Sequence, residues 1–348
     1  MKIAYLVTVN EPRSQIVRKG LRRNGVQVVE LHGTLKPWKF MNYFSKKGKY
    51  DAIIVGEYGH IFIPYAKILK KISRTTLLLF DPYISSYDTS VNDKKLIKAS
   101  SWKAKYYFLL DKYACKFADM CLLDTNEHIK YFSNTFSLDP SKFRRVFVGA
   151  DDDIFYPQNL ERSNNYFTVF WYGTYIPLHG AEYIVRAAKI LEKCKDIRFV
   201  MVGYGQTYPQ VRKLVKLLGL HNIEFIKWIN YSDLPTQMSK ADICLGIFGN
   251  TEKTRRVIPN KVFQALATRK PVVTANTPAA REALTHMENA YLCEIASPRS
   301  IADGILALKE DEPLRKKLAE NGYQLFKKMF TVEQIGKSVK GIIEEALS

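Results

Sequence analysis

Short runs of apolar residues alternate with amphipathic segments along the chain. Residues 3–9 form the first run, and its nearly continuous apolar character is typical of a strand buried on both faces of a parallel sheet. Residues 12–23 follow with apolar positions at helical spacing, and Gly25 marks the end of the predicted helix. The same alternation predicts strands at 26–31, 52–55, 76–80, 120–123 and 146–148, and helices at 61–72, 101–117 and 127–136.

A second series of elements begins after a polar, turn-rich stretch at 156–165, which is predicted to link two domains. The predicted strands are 167–172, 197–202, 223–226, 242–247 and 271–274, and the predicted helices are 181–192, 208–218, 232–239, 260–268 and 300–308. Residues 313–346 are predicted to be helical, with a break near Phe330 and Thr331. We therefore expect an N-terminal domain at 1–157, a C-terminal domain at 158–330, and a final helix at 331–348 that packs back on the N-terminal domain.

This order of elements predicts an α/β protein with two Rossmann-like domains that face each other across a cleft. Ligands of such sheets bind beyond the carboxyl ends of the strands, so the loops that follow the strands are the candidate sites. The architecture alone does not decide the function, because it supports many activities.

Basic residues are concentrated in the first half of the chain. The formal net charge is +19, and residues 1–150 hold 26 basic and 12 acidic side chains, a balance of +14. A basic half indicates an anionic partner, such as nucleic acid, an acidic membrane or a phosphorylated substrate.

The five cysteines are scattered and odd in number, which predicts free thiols and no disulfide frame or zinc site. No apolar stretch approaches the roughly 20 residues that cross a membrane, and the apolar run at the N-terminus is too short for a signal peptide. The sequence therefore predicts a cytoplasmic protein that is at most peripheral on the inner face of the cell membrane.

The most informative segment for chemistry leads into the helix predicted at 260–268. Its polar residues are Arg255, Arg256, Asn260, Lys261 and Gln264. Pro259 suits a first helical turn, and a helix that begins there directs unpaired N–H groups and a positive dipole end toward the strand ends. These features favour binding of a diphosphate. A solvated basic loop before an ordinary helix explains the same residues equally well.

Two loops that contain glycine also follow predicted strands. One runs from Gly173 through Thr174 and His179 to Gly180, and the other begins at Gly203. Glycines allow a ligand to approach the backbone closely. A tight turn without any ligand is an equally good explanation for the second loop.

The order of these segments resembles glycosyltransferase family 4. That family has a G…KG loop, a VG.G strand end and a P.K block followed by PVV. This chain has, in the same order, Gly173…His179-Gly180, Val202-Gly203-Tyr204-Gly205, Pro259-Asn260-Lys261 and Pro271-Val272-Val273. Residues 148–157 are similar to the interdomain signature of the family. The resemblance covers the motifs of the C-terminal half, and in the N-terminal half only the succession of strands.

The resemblance implies a retaining, nucleotide-sugar-dependent enzyme of the GT-B fold. It assigns Lys261 to the donor diphosphate and Gln264, at a position where the family has glutamate, to a ribose hydroxyl. Thr174 and His179 stand where the family has arginine and lysine. Arg256 stands at the family's first glutamate position, so Arg255 and Arg256 are candidates to supply the missing charge.

The candidate site residues fall into two groups. The predicted donor-binding residues are Gly173, Thr174, Gly180, Gly203, Trp228, Arg255, Arg256, Asn260, Lys261 and Gln264. The predicted catalytic residues are Asp81 and His179. Asp81 ends a predicted strand, where a carboxylate can orient or deprotonate an acceptor hydroxyl, although a turn-capping role before Pro82 explains it equally well. Glu57 and His60, at the end of the preceding strand, are further candidates.

Asp151, Asp152 and Asp153 are consecutive carboxylates of the kind that binds Mg²⁺ or Mn²⁺. They lie in the family-like interdomain signature, and a basic loop with a helix end can neutralise a diphosphate by itself. No metal and no other cofactor is therefore predicted.

These observations predict transfer of a hexose-type sugar from a nucleoside diphosphate to an acceptor hydroxyl, in the synthesis of a glycan, a cell-envelope polysaccharide or a glycolipid. The expected partners are a nucleotide sugar and a glycan or lipid-linked acceptor. The alternatives are a GT-B sugar-nucleotide epimerase, a basic nucleic-acid-binding protein and a non-catalytic nucleotide-sugar-binding protein. No nucleic-acid partner is expected, because no RNA- or DNA-binding motif accompanies the basic residues.

Aromatic residues and lysines are interleaved in two segments of the N-terminal half, 35–47 and 102–113. This combination suits the headgroup boundary of an anionic membrane, where a lipid-linked acceptor would be found. Core aromatics beside a solvated lysine face would give the same pattern.

Overall fold

The computed structural model describes residues 1–9, 11–32, 49–159 and 166–348. The chain divides into two compact units, of which unit 1 comprises residues 1–149 and 332–348 and unit 2 comprises residues 150–331. The division therefore falls before the polar stretch that was expected to link the domains. Residues 160–165 of that stretch, and the aromatic and basic segment at 35–47, lie outside the described residues.

Unit 1 is built on a parallel sheet of six strands in the order β2-β1-β3-β4-β5-β6. The strands are β1 Lys2–Val7, β2 Gln27–His32, β3 Ala52–Val55, β4 Leu77–Phe80, β5 Met120–Leu123 and β6 Phe143–Arg145. Every residue of β3, β4 and β5 is buried, as expected for central strands that helices cover on both faces. Their uninterrupted apolar runs are the reason that the sequence predicts them well.

Most helices of unit 1 begin with a polar cap or with a proline in the first turn. They are α1 Pro12–Arg23, α2 Ile63–Ile72, α3 Trp102–Phe117, α4 Asn126–Phe136 and, after unit 2, α11 Val332–Leu347. The Ser101 and Thr125 hydroxyls accept hydrogen bonds from the first turns of α3 and α4. Helix α11 packs against α1, and the two backbones meet at Gly20 and Gly336.

Unit 2 has a second parallel sheet of six strands, in the order β12-β11-β10-β7-β8-β9. The strands are β7 Phe167–Tyr172, β8 Ile197–Val202, β9 Ile223–Ile226, β10 Ile243–Leu245, β11 Val272–Ala275 and β12 Tyr291–Cys293. The helices are α5 Ala181–Ile190, α6 Tyr208–Leu217, α7 Leu234–Lys240, α8 Asn260–Ala267, α9 Pro298–Glu310 and α10 Glu312–Met329. One apolar core joins the inner faces of the sheet and its helices.

One strand prediction is wrong, and one edge strand was missed. Residues 146–148 do not form a strand, because β6 lies at Phe143–Arg145 and the chain leaves the ladder after Val146. The Val146 N–H still donates to the Leu123 carbonyl at 2.7 Å, but its carbonyl accepts from Arg13 Nη1 at 2.9 Å. The edge strand β12 is three residues long and was not predicted.

All five cysteines are free thiols, as predicted. Within the described part of the chain, no helix has the length and apolar character that crossing a membrane requires.

Candidate active site

The carboxyl ends of the strands of unit 2 bring the predicted donor-binding loops to one edge of the sheet. The chain passes from β7 to β8 and β9 on one side and then returns to β10 on the other side of β7. The loops after β7 and β10 therefore meet at the point where the strand order reverses, which is where doubly wound sheets bind ligands. The two loops are tied together by the Phe248 N–H, which donates to the His179 carbonyl at 3.1 Å.

Two glycines at this edge have conformations that other residues rarely adopt. Gly173 has φ +153° and Gly203 has φ +124°. A methyl group on Gly203 would lie 2.0 Å from the Gly173 carbonyl oxygen, so the two loop backbones touch. Gly180, with φ +64°, makes a similarly close approach to Gly249. At Gly180 and Gly203 glycine is thus required by close backbone packing.

Lys261 lies in the first turn of α8, with only 5% of its surface exposed. Its ammonium is 4.5 Å from the centre of the Trp171 ring, and a methyl group on Gly173 would lie 2.7 Å from its Nζ atom. Among the residues that the structure describes, Nζ has no hydrogen-bond partner. Burial lowers the pKa of Lys261 well below its usual value. An anion beside Nζ would offset the cost of burying this charge.

The N-terminus of α8 adds a second source of positive potential next to Lys261. The N-cap residue is Pro259, which offers no side chain to accept from the N–H groups of the first turn. The positive end of the helix dipole is therefore not offset by a capping side chain. Asn260, the first residue of the helix, is half-buried at the same position.

Gln264 lies one turn after Lys261, and residues at this spacing share one face of a helix. The side chain is 2% exposed, and its Nε2 donates to the Tyr231 hydroxyl at 2.9 Å. Its Oε1 has no hydrogen-bond partner among the described residues. The Tyr231 ring in turn packs against the buried ring of Phe155. The same face of α8 therefore presents an unpaired donor and an unpaired acceptor.

His179 lies close to Lys261, because its ring and the ammonium both approach Gly173. Its Nδ1 is hydrogen bonded to the Thr174 carbonyl, and its ring meets that of Trp171 edge-on. A carbonyl accepts, so Nδ1 is the protonated nitrogen. In the neutral ring Nε2 is then a hydrogen-bond acceptor, and in the charged ring it is a donor.

Three other predicted donor residues are less buried. The Arg255 side chain is about half exposed, and its Nε is 3.6 Å from Glu252 Oε1. Arg256 is half-buried in the same loop. Trp228 follows β9, also at the carboxyl edge of the sheet, and is 80% exposed. A donor role for these residues stays a prediction.

The carboxylate of Asp81 is fully buried in unit 1. Both of its oxygens lie 2.9 Å from Arg13 Nε, and the Arg13 guanidinium also stacks near the Tyr83 ring. A carboxylate that is closed off from solvent and paired with arginine is poorly placed to meet an acceptor hydroxyl. The geometry therefore favours a structural role for Asp81, and the predicted catalytic role is not supported by any contact.

Glu57 and His60, the further candidates in unit 1, are also buried. The Glu57 carboxylate accepts from the Ser14 N–H at 2.7 Å. Burial, together with the nearby Asp81 charge, raises the pKa of Glu57 to about 8. The Nε2 atom of His60 lies 3.1 Å from Asp111 Oδ1.

Asp151, Asp152 and Asp153 can bring one carboxylate oxygen each to within 4.8 Å of the others. They lie in the turn that opens unit 2, where the Asp153 N–H donates to Asp151 Oδ1 at 3.0 Å. Asp151 is buried, Asp152 is half-buried and Asp153 is exposed. That the protein uses no metal stays a prediction.

Sequence reasoning missed three residues of these sites. Trp171, whose ring lies under the Lys261 ammonium, was predicted only as part of a strand. Tyr231 is distant in sequence from Gln264, which it contacts. Arg13 follows the first strand, a position typical of ligand contacts, but its carboxylate partner is 68 residues away.

The sequence profile of the family described as Glycosyl transferases group 1 matches residues 152–325, half of the chain. The chain belongs to the glycosyl transferases group 1 family. The matched region contains all the predicted donor-binding residues, so the family assignment and the site in unit 2 rest on the same part of the molecule.

Curated relatives of this group 1 glycosyltransferase are distant. An uncharacterized glycosyltransferase of Methanocaldococcus jannaschii is 26% identical over 253 residues, which cover 72% of this chain and 65% of the relative. The alpha-D-kanosaminyltransferase of Streptomyces kanamyceticus is 22% identical over 179 residues, which cover 51% of this chain and 45% of the relative. The chain thus spans less than two thirds of the length of these relatives.

Solved structures confirm the predicted fold class. Anabaena HepE in complex with UDP matches with a TM-score of 0.74 at 15% identity, over 99% of this chain and 100% of HepE. Sucrose-phosphate synthase of Thermosynechococcus elongatus also has a TM-score of 0.74, at 14% identity, over 99% of this chain and 98% of the synthase. At these identities the likeness establishes the fold alone. This group 1 glycosyltransferase has the α/β GT-B fold, with two parallel six-stranded sheets.

Proposed function

We propose that this group 1 glycosyltransferase transfers a hexose from a nucleoside diphosphate to an acceptor hydroxyl, with retention of the anomeric configuration. The observation that supports it most is the buried ammonium of Lys261, which has no hydrogen-bond partner among the described residues and lies at the start of α8. Because HepE was crystallised with UDP and with UDP-glucose, UDP-hexoses are the first donors to test.

The site residues suit the parts of such a donor. Lys261 and the N-terminus of α8 would neutralise the diphosphate, and the lack of a side chain at Gly173 would let it approach the backbone. The unpaired Oε1 of Gln264 would accept from a ribose hydroxyl. His179, with Nδ1 held by the Thr174 carbonyl, would direct Nε2 at a sugar hydroxyl or, when charged, at a phosphate oxygen.

The reaction needs only positioning and charge stabilisation from these residues. The bond between the anomeric carbon and the phosphate oxygen breaks while a bond to the acceptor oxygen forms on the same face. The acceptor proton passes to the departing phosphate, so no protein nucleophile is required. Lys261 and the helix end would stabilise the negative charge that develops on the diphosphate.

The acceptor is proposed to be a glycan or a lipid-linked saccharide. The N-terminal unit would bind it, since the donor residues all lie in unit 2. We propose that no metal takes part, because an ammonium and a helix N-terminus already provide positive charge for the diphosphate.

Release of nucleoside diphosphate from a panel of UDP- and GDP-hexoses tests this proposal. We expect release that increases with added glycan or lipid-linked acceptors, that persists in excess EDTA, and whose product retains the donor's anomeric coupling constant in proton NMR. An inverted product, or activity that EDTA abolishes and Mn²⁺ restores, would contradict retention or metal independence respectively. Conversion of the donor to a second sugar nucleotide without any acceptor would identify an epimerase instead.

A further inference from the structure

Helix α3 of unit 1 exposes a continuous stripe of large apolar side chains. The exposed residues recur at helical spacing and are Trp102, Tyr106, Leu109, Tyr113 and Phe117. Trp102 is 74% exposed. The opposite side of the helix buries small residues, such as Ala104, Ala114 and Cys115. On that side Phe108 also packs against the core of unit 1. The helix therefore carries large apolar side chains on its outward side as well as its inward side, unlike the usual surface helix, whose outward side is polar.

The neighbouring helix α2 extends this surface. It packs against α3 and exposes Tyr65, Ile68 and Ile72 at spacings of three and four residues. The Lys67 ammonium of α2 lies 4.9 Å from the centre of the Phe117 ring of α3, so the exposed sides of the two helices are in contact. We call these side chains, with the lysines of both helices, the α2–α3 face. Contiguous exposed apolar surface of this kind marks an interaction site.

The charges of the α2–α3 face have one sign. Lysines stand at 67, 70 and 71 on α2 and at 103, 105, 112 and 116 on α3. The two helices contain a single acidic residue, Asp111, which is fully buried and accepts from the Ser85 hydroxyl. Asp119, just beyond α3, pairs with Lys70. The other lysines surround the apolar stripes without any acidic residue on their own helices.

We propose that the α2–α3 face binds an anionic lipid bilayer. Tryptophan and tyrosine side chains favour the headgroup boundary, and lysines extend beside them to anionic headgroups. The lysines would also attract a nucleic acid, but binding of a nucleic acid would not explain why Ile68, Ile72 and Leu109 are exposed. A second copy of this chain would bring lysines against lysines, because any symmetric contact repeats the same charges. Only a surface that is both apolar and anionic matches both features.

This proposal goes beyond the proposed function and does not depend on the donor. Its consequence for the enzyme is that unit 1 would be held at the membrane surface, where lipid-linked acceptors are found. An anionic membrane would also be the partner that the excess of basic residues in the N-terminal half indicates.

Vesicle co-sedimentation of the full chain tests the proposal. We expect binding to vesicles with about one third phosphatidylglycerol, little binding to pure phosphatidylcholine, and loss of binding at high salt. The triple variant Lys103→Glu, Lys105→Glu, Lys116→Glu should bind at least about 100-fold more weakly, at about fivefold per lysine removed. The double variant Trp102→Ser, Tyr106→Ser should weaken binding while the charge stays unchanged.

A control variant separates this face from overall charge. Lys195→Glu, Lys213→Glu, Lys216→Glu changes the net charge equally at exposed positions of unit 2 and should leave vesicle binding nearly intact. Thermal unfolding of each variant, followed by circular dichroism, reports whether the protein is folded. An equal loss in the control would contradict the proposal, as would absence of binding to anionic vesicles at low salt. Self-association or oligonucleotide binding that the α3 variants abolish, without vesicle binding, would assign the face to a second copy or to nucleic acid.

Discussion

At the scale of single residues, buried ionisable side chains distinguish the two units. In unit 2 the ammonium of Lys261 has no hydrogen-bond or ion-pair partner among the described residues, whereas in unit 1 the Asp81 carboxylate is paired with Arg13. A buried charge that is already paired stabilises the fold around it. A buried charge without a counter-ion favours the binding of an ion of opposite sign. This difference is why the structure supports the prediction for Lys261 more than that for Asp81.

Glu57 gives a test of buried charge in unit 1 through its effect on stability. Its pKa is about 8 in the folded protein, because of burial and the nearby Asp81, and near 4.5 when unfolded. The folded state therefore holds an extra proton between these values, and the contribution of Glu57 to stability is lost as the pH rises from about 5 to 8. Glutamine does not ionise, so Glu57→Gln should remove this loss. The unfolding temperature of the variant minus that of the wild type should therefore increase as the pH rises over that range.

Thermal unfolding followed at several pH values measures this difference. Glu333→Gln, which removes an exposed carboxylate of the same unit, is the matched control. A difference between Glu57→Gln and wild type that does not change with pH would show that Glu57 is ionised in the folded protein.

At the scale of elements, most of the fold was predictable because each central strand is a continuous apolar run and most helices begin at a proline or a capping residue. Helix α1, for example, was predicted over its exact extent. The errors lie where tertiary contacts replace local pattern. Residues 146–148 have the apolar pattern of a strand, but the Val146 carbonyl accepts a hydrogen bond from Arg13 instead of from a neighbouring strand. The three-residue strand β12 has too little sequence pattern of its own.

The contact between α1 and α11 is a feature of paired elements that no local pattern reveals. A methyl group on Gly336 would lie 2.0 Å from the Gly20 carbonyl carbon, so the helices cross backbone against backbone. Gly336→Ala should force them apart and destabilise unit 1 by about 3 kcal/mol or more, at the upper end of the usual cost of overpacking. Gly341→Ala on the same helix meets open space and should stabilise the protein by up to about 1 kcal/mol.

Denaturant unfolding of the two variants checks this prediction, and limited proteolysis reports whether α11 has separated. Equal stability of Gly336→Ala and Gly341→Ala would show that the two helices are not in backbone contact.

At the scale of the whole molecule, the two units differ in both charge and site. The predicted donor residues all fall in unit 2, within the region that the family profile matches, while most of the excess positive charge falls in residues 1–150. The sequence could indicate a candidate donor site because its motifs follow strands in a fixed order. The pairing of Arg13 with Asp81 and of Gln264 with Tyr231 could not be read from it, since each joins residues that are far apart along the chain.

Calorimetric titration of UDP into the Lys261→Ala variant tests the central claim most directly. The claim is that the buried ammonium of Lys261 binds the donor diphosphate. A charge-assisted contact contributes roughly 1.5–3 kcal/mol, so Lys261→Ala should weaken UDP binding by roughly 10- to 150-fold. Lys216→Ala, which removes an exposed lysine from the same unit, should bind UDP like the wild type. Unchanged UDP affinity in a folded Lys261→Ala protein would contradict the account.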